Sequence, residues 1–338
     1  MKAFVVTGPR VAGVQDVPDP IAGVGDVLVD VELVGVCGTD VEFYTGHMSY
    51  LHTGRAAYPM RLGHEWCGVV GAAGPGVDQA WIGRRVIGDT MLGCGRCERC
   101  LSGRHHVCRD RFEVGISGGF PGALAERLVL PAAALHPLPA SVGPIAGALV
   151  EPGGNAFRAV KAAGVPAGSS LLIFGPGTIG LLAAAFAIAN GVQVHVVGLA
   201  GPGLALARSI GATASTLDEL EGQPYDAVID ATNGATVPAA ALRLVEPAGR
   251  VVYIGLAPEP SPIDTRTLVL GDLTAVGILG GSAGLEGAIH SYASGAVDPT
   301  KLVAATVPLE RAGDVLAGWR PDRAGPGPKI LVDLRTSG

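Results

Sequence analysis

Three short segments of this 338-residue chain carry side chains able to hold a divalent metal and move a proton: Gly35-Val36-Cys37-Gly38-Thr39-Asp40, Gly63-His64-Glu65 and Glu151-Pro152. Together they offer a thiolate, an imidazole and carboxylates. A catalytic zinc takes three protein ligands of these types and keeps one position exchangeable for water or substrate. As a Lewis acid it makes a hydroxyl easier to deprotonate. Each segment alone has a plainer reading, because a single cysteine in a Val-rich stretch is often core and Gly-His-Glu arises by chance. Their weight comes from two further motifs in the same chain.

The first is Cys94-x2-Cys97-x2-Cys100-x7-Cys108, which holds four of the six cysteines. In a reducing compartment such a cluster points to a metal rather than to disulfides. Four thiolates from one loop complete a tetrahedron, the closed arrangement of a structural zinc. Gly93, Gly95 and Gly103 ease the tight turns of the lobe spanning 93–109. An iron–sulfur cluster is the rival, but its motif places the fourth cysteine nearer and follows it with proline. His105 and His106 are expected to face solvent rather than to bind the ion.

The second is Gly175-Pro176-Gly177-Thr178-Ile179-Gly180, a G-x-G-x-x-G between a strand-like run at 170–174 and a helix-like run at 179–189. The first glycine permits the turn, the second admits a pyrophosphate to the backbone, and the third lets helix and strand pack closely. The helix start then offers free N–H groups and partial positive charge to the diphosphate. An acidic residue usually closes the next strand and grips the adenosine ribose. Here that position reads Val197-Gly198-Leu199-Ala200-Gly201-Pro202, with no carboxylate and no basic residue before Arg208. NAD and NADP are both compatible with it.

The elements that must position these groups follow from the hydrophobic pattern. Up to about residue 148, short Val-rich runs (2–6, 27–31, 68–71, 85–88) punctuated by Gly and Pro predict a β-rich unit. Beyond it, strand-like runs at 170–174, 192–197, 225–230 and 250–255 alternate with helix-like runs at 179–189, 204–210 and 237–245. This alternation predicts an α/β arrangement with a doubly wound parallel sheet and right-handed crossovers. After about residue 287 the alternation stops. A helix-like piece at 309–319 and a last strand at 329–332 are expected to return to the first domain.

Composition narrows the function classes. Hydrophobic residues make up 48% of the chain, so a membrane reading needs testing; the apolar stretch at 179–189 is far short of the ~20 residues a span requires. The net charge is −6 and no basic run exists, which argues against nucleic acid and anionic lipid as partners. A zinc ribbon reading nucleic acid would have only Arg96, Arg99, Arg104, Arg109 and Arg111 to use, all in one lobe. A binding protein that had lost its chemistry would be expected to show a broken glycine turn or missing ligands, and neither is seen. The first seven residues read as a strand rather than a signal peptide, which suits a cytoplasmic protein.

Taken together, these motifs resemble the zinc-containing medium-chain dehydrogenase/reductase family, the alcohol dehydrogenases, over essentially the whole chain. The runs Asp226-Ala227-Val228-Ile229-Asp230-Ala231-Thr232 and Gly249-Arg250-Val251-Val252-Tyr253-Ile254-Gly255 add to the likeness. The resemblance implies a GroES-like catalytic domain over 1–148 and 288–338, a Rossmann domain over 149–287, and a cleft between them. It implies Cys37 and His64 as fixed zinc ligands. Glu151 stands where simple alcohol dehydrogenases place a second cysteine, as in the polyol, sorbitol, glucose and threonine dehydrogenase branch. Glu65 resembles a carboxylate that enters or leaves the zinc shell, and the sequence leaves open whether Glu65 or Glu151 binds at rest. Thr39 resembles the hydroxyl that takes the substrate proton, and Asp40 the carboxylate that orients His64.

The implied reaction is hydride transfer between a secondary alcohol (polyol, sugar, cyclitol or amino alcohol) and NAD(P), with a simple alcohol or aldehyde substrate as the alternative. One catalytic and one structural zinc per chain and a homodimer or homotetramer are implied as well. Two departures stand out. Glu42 replaces a histidine that many members use to relay the proton, and Gly153-Gly154-Asn155 replaces bulkier residues, which is expected to leave extra space. Phe43 and Trp66 read equally as pocket walls or core, and Cys67 as a small buried residue.

Overall fold

A computed structural model describes residues 1–220 and 224–335. The chain divides into two units. One comprises Met1–Glu151, Val303–Gly325 and the final stretch from Lys329; the other comprises Pro152–Leu302 and Pro326–Pro328. The return to the first unit thus comes at Val303, later than residue 288. The helix Leu285–Ala293 belongs to the second unit, where Tyr292 stacks on Phe186 with ring centroids 5.9 Å apart.

In the first unit the strand Asp26–Gly35 is the spine. Val27, Val29, Val31 and Leu33 alternate into the interior, the period-two pattern that sets strand register. The strand pairs antiparallel with Glu65–Ala73, Arg127–Pro131 and Lys329–Asp333. The sheet order is Leu135–Pro137, Arg85–Gly88, Glu65–Ala73, Asp26–Gly35, Lys329–Asp333, Val303–Pro308. Its core gathers Val29, Val31, Trp66, Val70, Val86, Leu128 and Leu130. Burying each of the aliphatic ones contributes about 1.5–3 kcal/mol. The register places Gly35 opposite both Glu65 and Leu331, so three segments distant in sequence meet at the end of the spine.

The helix Gly38–Thr45 starts directly after the spine, with Cys37 as its N-cap and the left-handed Gly46 ending it. The 309–319 piece is not one helix. A 3-10 turn, Leu309–Arg311, leads into the helix Ala312–Leu316, which stops before Gly318 at φ +96°. Trp319 folds back under the Arg311 guanidinium, 3.9 Å from its ring centroid.

The second unit is built on a six-stranded parallel sheet ordered Thr213–Ser215, Gln193–Val197, Ser170–Phe174, Tyr225–Asp230, Val245–Tyr253, Thr274–Gly277. This is the doubly wound order that places a dinucleotide at the carboxyl ends of the central strands. Leu171, Leu172 and Ile173 are fully buried, as expected of a parallel strand covered on both faces. The helices Thr178–Ala189 and Pro202–Ser209 follow the first two strands in sequence. Gly211 follows the second helix at φ +100°. The helices Val150–Ala163, Thr265–Leu270 and Leu285–Ala293 and the two edge strands Thr213–Ser215 and Thr274–Gly277 were not foreseen. No helix among the described residues is long and apolar enough to cross a membrane.

Candidate functional site

Within the first unit, ligand atoms of Cys37, His64 and Glu65 lie within 4.8 Å of one another. Each is delivered by a different part of the spine region. Cys37 caps the helix that follows the strand Asp26–Gly35, and Glu65 opens the paired strand. His64 sits just before it, after Gly63 at φ +96°. A side chain at Gly63 would press on the Leu124 nitrogen at 2.9 Å, so glycine is needed there for conformation and for space.

Asp40 ties the trio together. It is fully buried, and its carboxylate accepts N–H bonds from Cys37 at 2.9 Å and Gly63 at 3.2 Å. Its Oδ1 also faces His64 Nδ1 at 3.5 Å. Burial pushes the Asp40 carboxyl up, but the His64 imidazole and the two N–H groups outweigh it, leaving its pKa below the usual carboxylate value. Burial disfavours a charged His64, but Asp40 and then Cys37 hold its pKa well above the ordinary value. With Nδ1 turned toward Asp40, Nε2 is the nitrogen that would face a cation. A thiol sulfur, an imidazole and a carboxylate held this close, with the imidazole oriented from behind, fit a zinc-type ion with an exchangeable position.

Thr39 is half-buried in the first turn of the helix, and Glu42 lies on the next turn. Desolvation pushes the Glu42 carboxyl up, partly offset by His47. Glu151 occupies the first turn of Val150–Ala163 and is not among the three grouped ligands. Phe43 and Trp66 are buried in the core of the first unit, and Cys67 is buried too, with its thiol pushed up to about 12 by desolvation.

The side chain that sequence reasoning missed is Lys329. It is 3% exposed, and its Nζ donates to Glu65 Oε2 at 2.5 Å and to the Val36 carbonyl at 3.0 Å. Burial works against its charge, but Glu65 and then Cys37 keep its pKa above the usual lysine value. The one available signal was a lysine opening an otherwise apolar strand, Lys-Ile-Leu-Val.

The cysteine lobe has its own geometry. Sγ–Sγ distances are 3.9 Å for Cys94–Cys100, 3.5 Å for Cys97–Cys100 and 3.7 Å for Cys97–Cys108. Disulfides need ~2.05 Å, whereas a tetrahedron of ~2.3 Å zinc–sulfur bonds has edges of ~3.8 Å. The N–H groups of Arg96 and Cys97 pull the Cys94 thiol down to about 6, as suits a thiolate donor. Neither neighbouring histidine is simply solvent-facing. His106 is buried, and His105 bonds Asp89 at 2.6 Å, because the lobe folds back against Gly93.

In the second unit the glycine turn divides by role. A Cβ at Gly175 would meet the Ala231 carbonyl oxygen at 2.9 Å, and one at Gly180 would collide with the Gly175 carbonyl oxygen. A Cβ at Gly177 would meet nothing within 4 Å. The first and third glycines serve packing, and the second leaves an open backbone cradle at the start of Thr178–Ala189, a fit for a diphosphate. Pro176 packs against both Gly198 and Gly203, which ties the turn to the end of the next strand, and Leu199 there is 89% exposed. Ile179 lies in the first turn of the same helix. The expected extra space after Glu151 is absent. A side chain at Gly153 would strike the Tyr292 hydroxyl, and one at Gly154 would meet the Gly281 carbonyl at 2.7 Å. Small residues here admit the Leu285–Ala293 segment.

Known proteins match this chain in both halves and along most of its length. The alcohol dehydrogenase GroES-like domain matches residues 23–140, and the zinc-binding dehydrogenase domain matches 178–294. L-threonine 3-dehydrogenase of Legionella pneumophila (strain Corby) is 32% identical over 280 residues, 79% of this chain and 80% of that protein. A structure from Sinorhizobium meliloti 1021, described as a zinc-binding dehydrogenase bound to NADP, superposes with TM-score 0.89 at 30% identity, covering 98% of both chains. An Escherichia coli CFT073 structure described as an alcohol dehydrogenase complexed with NADH gives TM-score 0.89 at 26% identity, covering 98% of this chain and 99% of that one. The chain therefore belongs to the zinc-containing medium-chain alcohol dehydrogenase family.

Proposed function

We propose that this protein transfers hydride between a secondary alcohol and NAD(P), with one zinc held at Cys37, His64 and Glu65 and another at Cys94, Cys97, Cys100 and Cys108. The observation that carries the reading is the thiol–imidazole–carboxylate trio within 4.8 Å, backed by the buried Asp40. When bound, the catalytic zinc supplies Lewis acidity, and the nicotinamide supplies or accepts the hydride. The chain supplies the rest. Asp40 fixes the His64 ring so that one nitrogen faces the ion. Thr39 takes the proton of the substrate hydroxyl, and Glu42, one helical turn on, passes it to solvent. Gly175, Pro176, Gly177, Thr178, Ile179, Gly180 and Gly198 form the diphosphate cradle. The exposed Leu199, where no carboxylate stands, leaves either nicotinamide cofactor acceptable. Glu65 is the resting carboxylate in this reading, and Glu151 is a reserve ligand.

The substrate class is a polyol, sugar, cyclitol or amino alcohol; the threonine dehydrogenase relatives favour the amino alcohol. A cytoplasmic location suits the lobe, since a reducing compartment keeps its four thiolates available to metal. A homodimer or homotetramer completes the reading. The edge strand Thr274–Gly277 is largely exposed, and its neighbours Val269 and Leu270 are 77% and 87% exposed. The test is a panel of L-threonine, polyols, sugars and simple secondary alcohols with each cofactor, run beside His64→Ala with zinc counted per chain. Oxidation of a secondary hydroxyl is expected, lost in His64→Ala together with one of two zincs. Turnover confined to primary alkyl alcohols, or a His64→Ala protein that keeps both zincs and its activity, would overturn it.

A further inference from the structure

The Glu65 carboxylate faces two cation positions at once. Lys329 Nζ contacts its Oε2 at 2.5 Å, and the ligand atoms of Cys37 and His64 lie within 4.8 Å of a Glu65 oxygen. The pair is nearly sealed from water, with side chains 3% and 2% exposed. Gly35 makes room for it, since a Cβ there would run into Glu65 Oε2 and approach Lys329 Cδ at 3.3 Å. The ammonium is anchored a second time on the Val36 carbonyl, so it is held in place beside Cys37. Charge counting makes the arrangement specific. Three anions (the Cys37 thiolate, Asp40 and Glu65) surround a neutral ligating His64, and they balance one lysine plus one divalent ion. A carboxylate drawn toward two cations holds each less firmly than it would hold either alone, and in a dry site that competition is strong.

We propose that Lys329 is a positioning residue that competes with the metal for Glu65, keeping this carboxylate an exchangeable ligand so that a coordination position opens for substrate. The inference rests on the metal reading above. Without Lys329 the metal becomes the only counter-ion of Glu65, which then binds it permanently. An arginine would grip the carboxylate through two parallel N–H bonds and draw it away from the metal. Metal affinity should therefore move in opposite directions in Lys329→Met and Lys329→Arg, a pattern that a purely structural ion pair does not produce.

The experiment titrates cobalt(II) into the metal-stripped full chain and reads both affinity and the visible d–d spectrum. Relative to wild type, Lys329→Met is expected to bind cobalt at the Cys37 site about tenfold or more tightly, with a d–d band altered by a permanent carboxylate. Lys329→Arg is expected to bind about tenfold more weakly. The double variant Glu65→Gln/Lys329→Met should lose the gain. If Lys329→Met does not fold, the sign of the Lys329→Arg effect decides. Wild-type affinity and spectrum in both single variants would overturn the proposal. So would a gain that persists in the double variant, because that is plain charge repulsion without Glu65. A wild-type protein that takes cobalt only at the cysteine lobe would instead overturn the metal reading itself.

Discussion

At the scale of single residues the candidate centre depends on Asp40, which is buried and bonded to the backbone of both segments that carry Cys37, His64 and Glu65. In the proposed metal site its negative charge would do two things: orient the imidazole, which it faces at 3.5 Å, and make it a better donor. Asp40→Asn keeps the size and one acceptor oxygen but removes the charge. Zinc affinity at the Cys37 site, measured by competition with a chelator, should fall about 10–100-fold while the cysteine lobe keeps its ion. An unchanged affinity would reduce Asp40 to a fold-stabilising cap. Much of this centre is legible from residue types, because a thiolate, an imidazole and carboxylates following glycines are the vocabulary of a metal site. Lys329 was not legible. Its meaning comes from a strand pairing that spans most of the chain, Gly35 opposite Leu331, and local pattern does not encode such partners. Which of Glu65 and Glu151 stands beside Cys37 and His64 was hidden for the same reason: it depends on where a helix start falls relative to a strand end, and Glu65 is the one grouped with them.

At the scale of elements the glycine turn shows why the nucleotide-binding half is so readable. Strand, turn and helix are contiguous in sequence, so the local pattern contains the whole device. The helix Val150–Ala163 was missed because Pro152, Gly153 and Gly154 read as breakers. A proline in the first turn lacks no bond the helix would make, and the glycines serve close packing. The edge strand Thr274–Gly277 was missed because it is short and exposed. The turn itself separates packing from binding in a measurable way. Gly177 has φ −84° and ψ −174°, backbone that any residue adopts, and open space beyond. Gly177→Ala should leave stability within about 0.5 kcal/mol of wild type while weakening NAD(H) binding about tenfold or more. Gly180→Ala drives a methyl into the Gly175 carbonyl and should destabilise by about 1–3 kcal/mol or more. Paired thermal melts and cofactor fluorescence titrations decide between them, and equal melting losses in both variants would refute the division of labour.

At the scale of the whole molecule the question is what covers the sheet edge. A parallel sheet buried on both faces still ends in a strand whose outer N–H and C=O groups have no ladder partner, and natural proteins usually protect such edges. Here Ile278 donates its N–H to the Tyr253 carbonyl, so by alternation Val276 and Thr274 face the neighbouring strand while Ala275 and Gly277 face outward. No charged side chain stands between Leu273 and Leu285, so repulsion does not guard this edge. A second copy meeting it about a two-fold axis would satisfy the outward groups of both strands at once and cover Val269 and Leu270. Ala275→Pro removes one outward N–H and none of the inward bonds, and proline is tolerated at such an edge position. The variant should keep its fold, with a melting temperature close to wild type, but sediment as a smaller species. Assembly that survives the substitution would mean that the copies meet elsewhere, and that the edge is protected by its shortness alone.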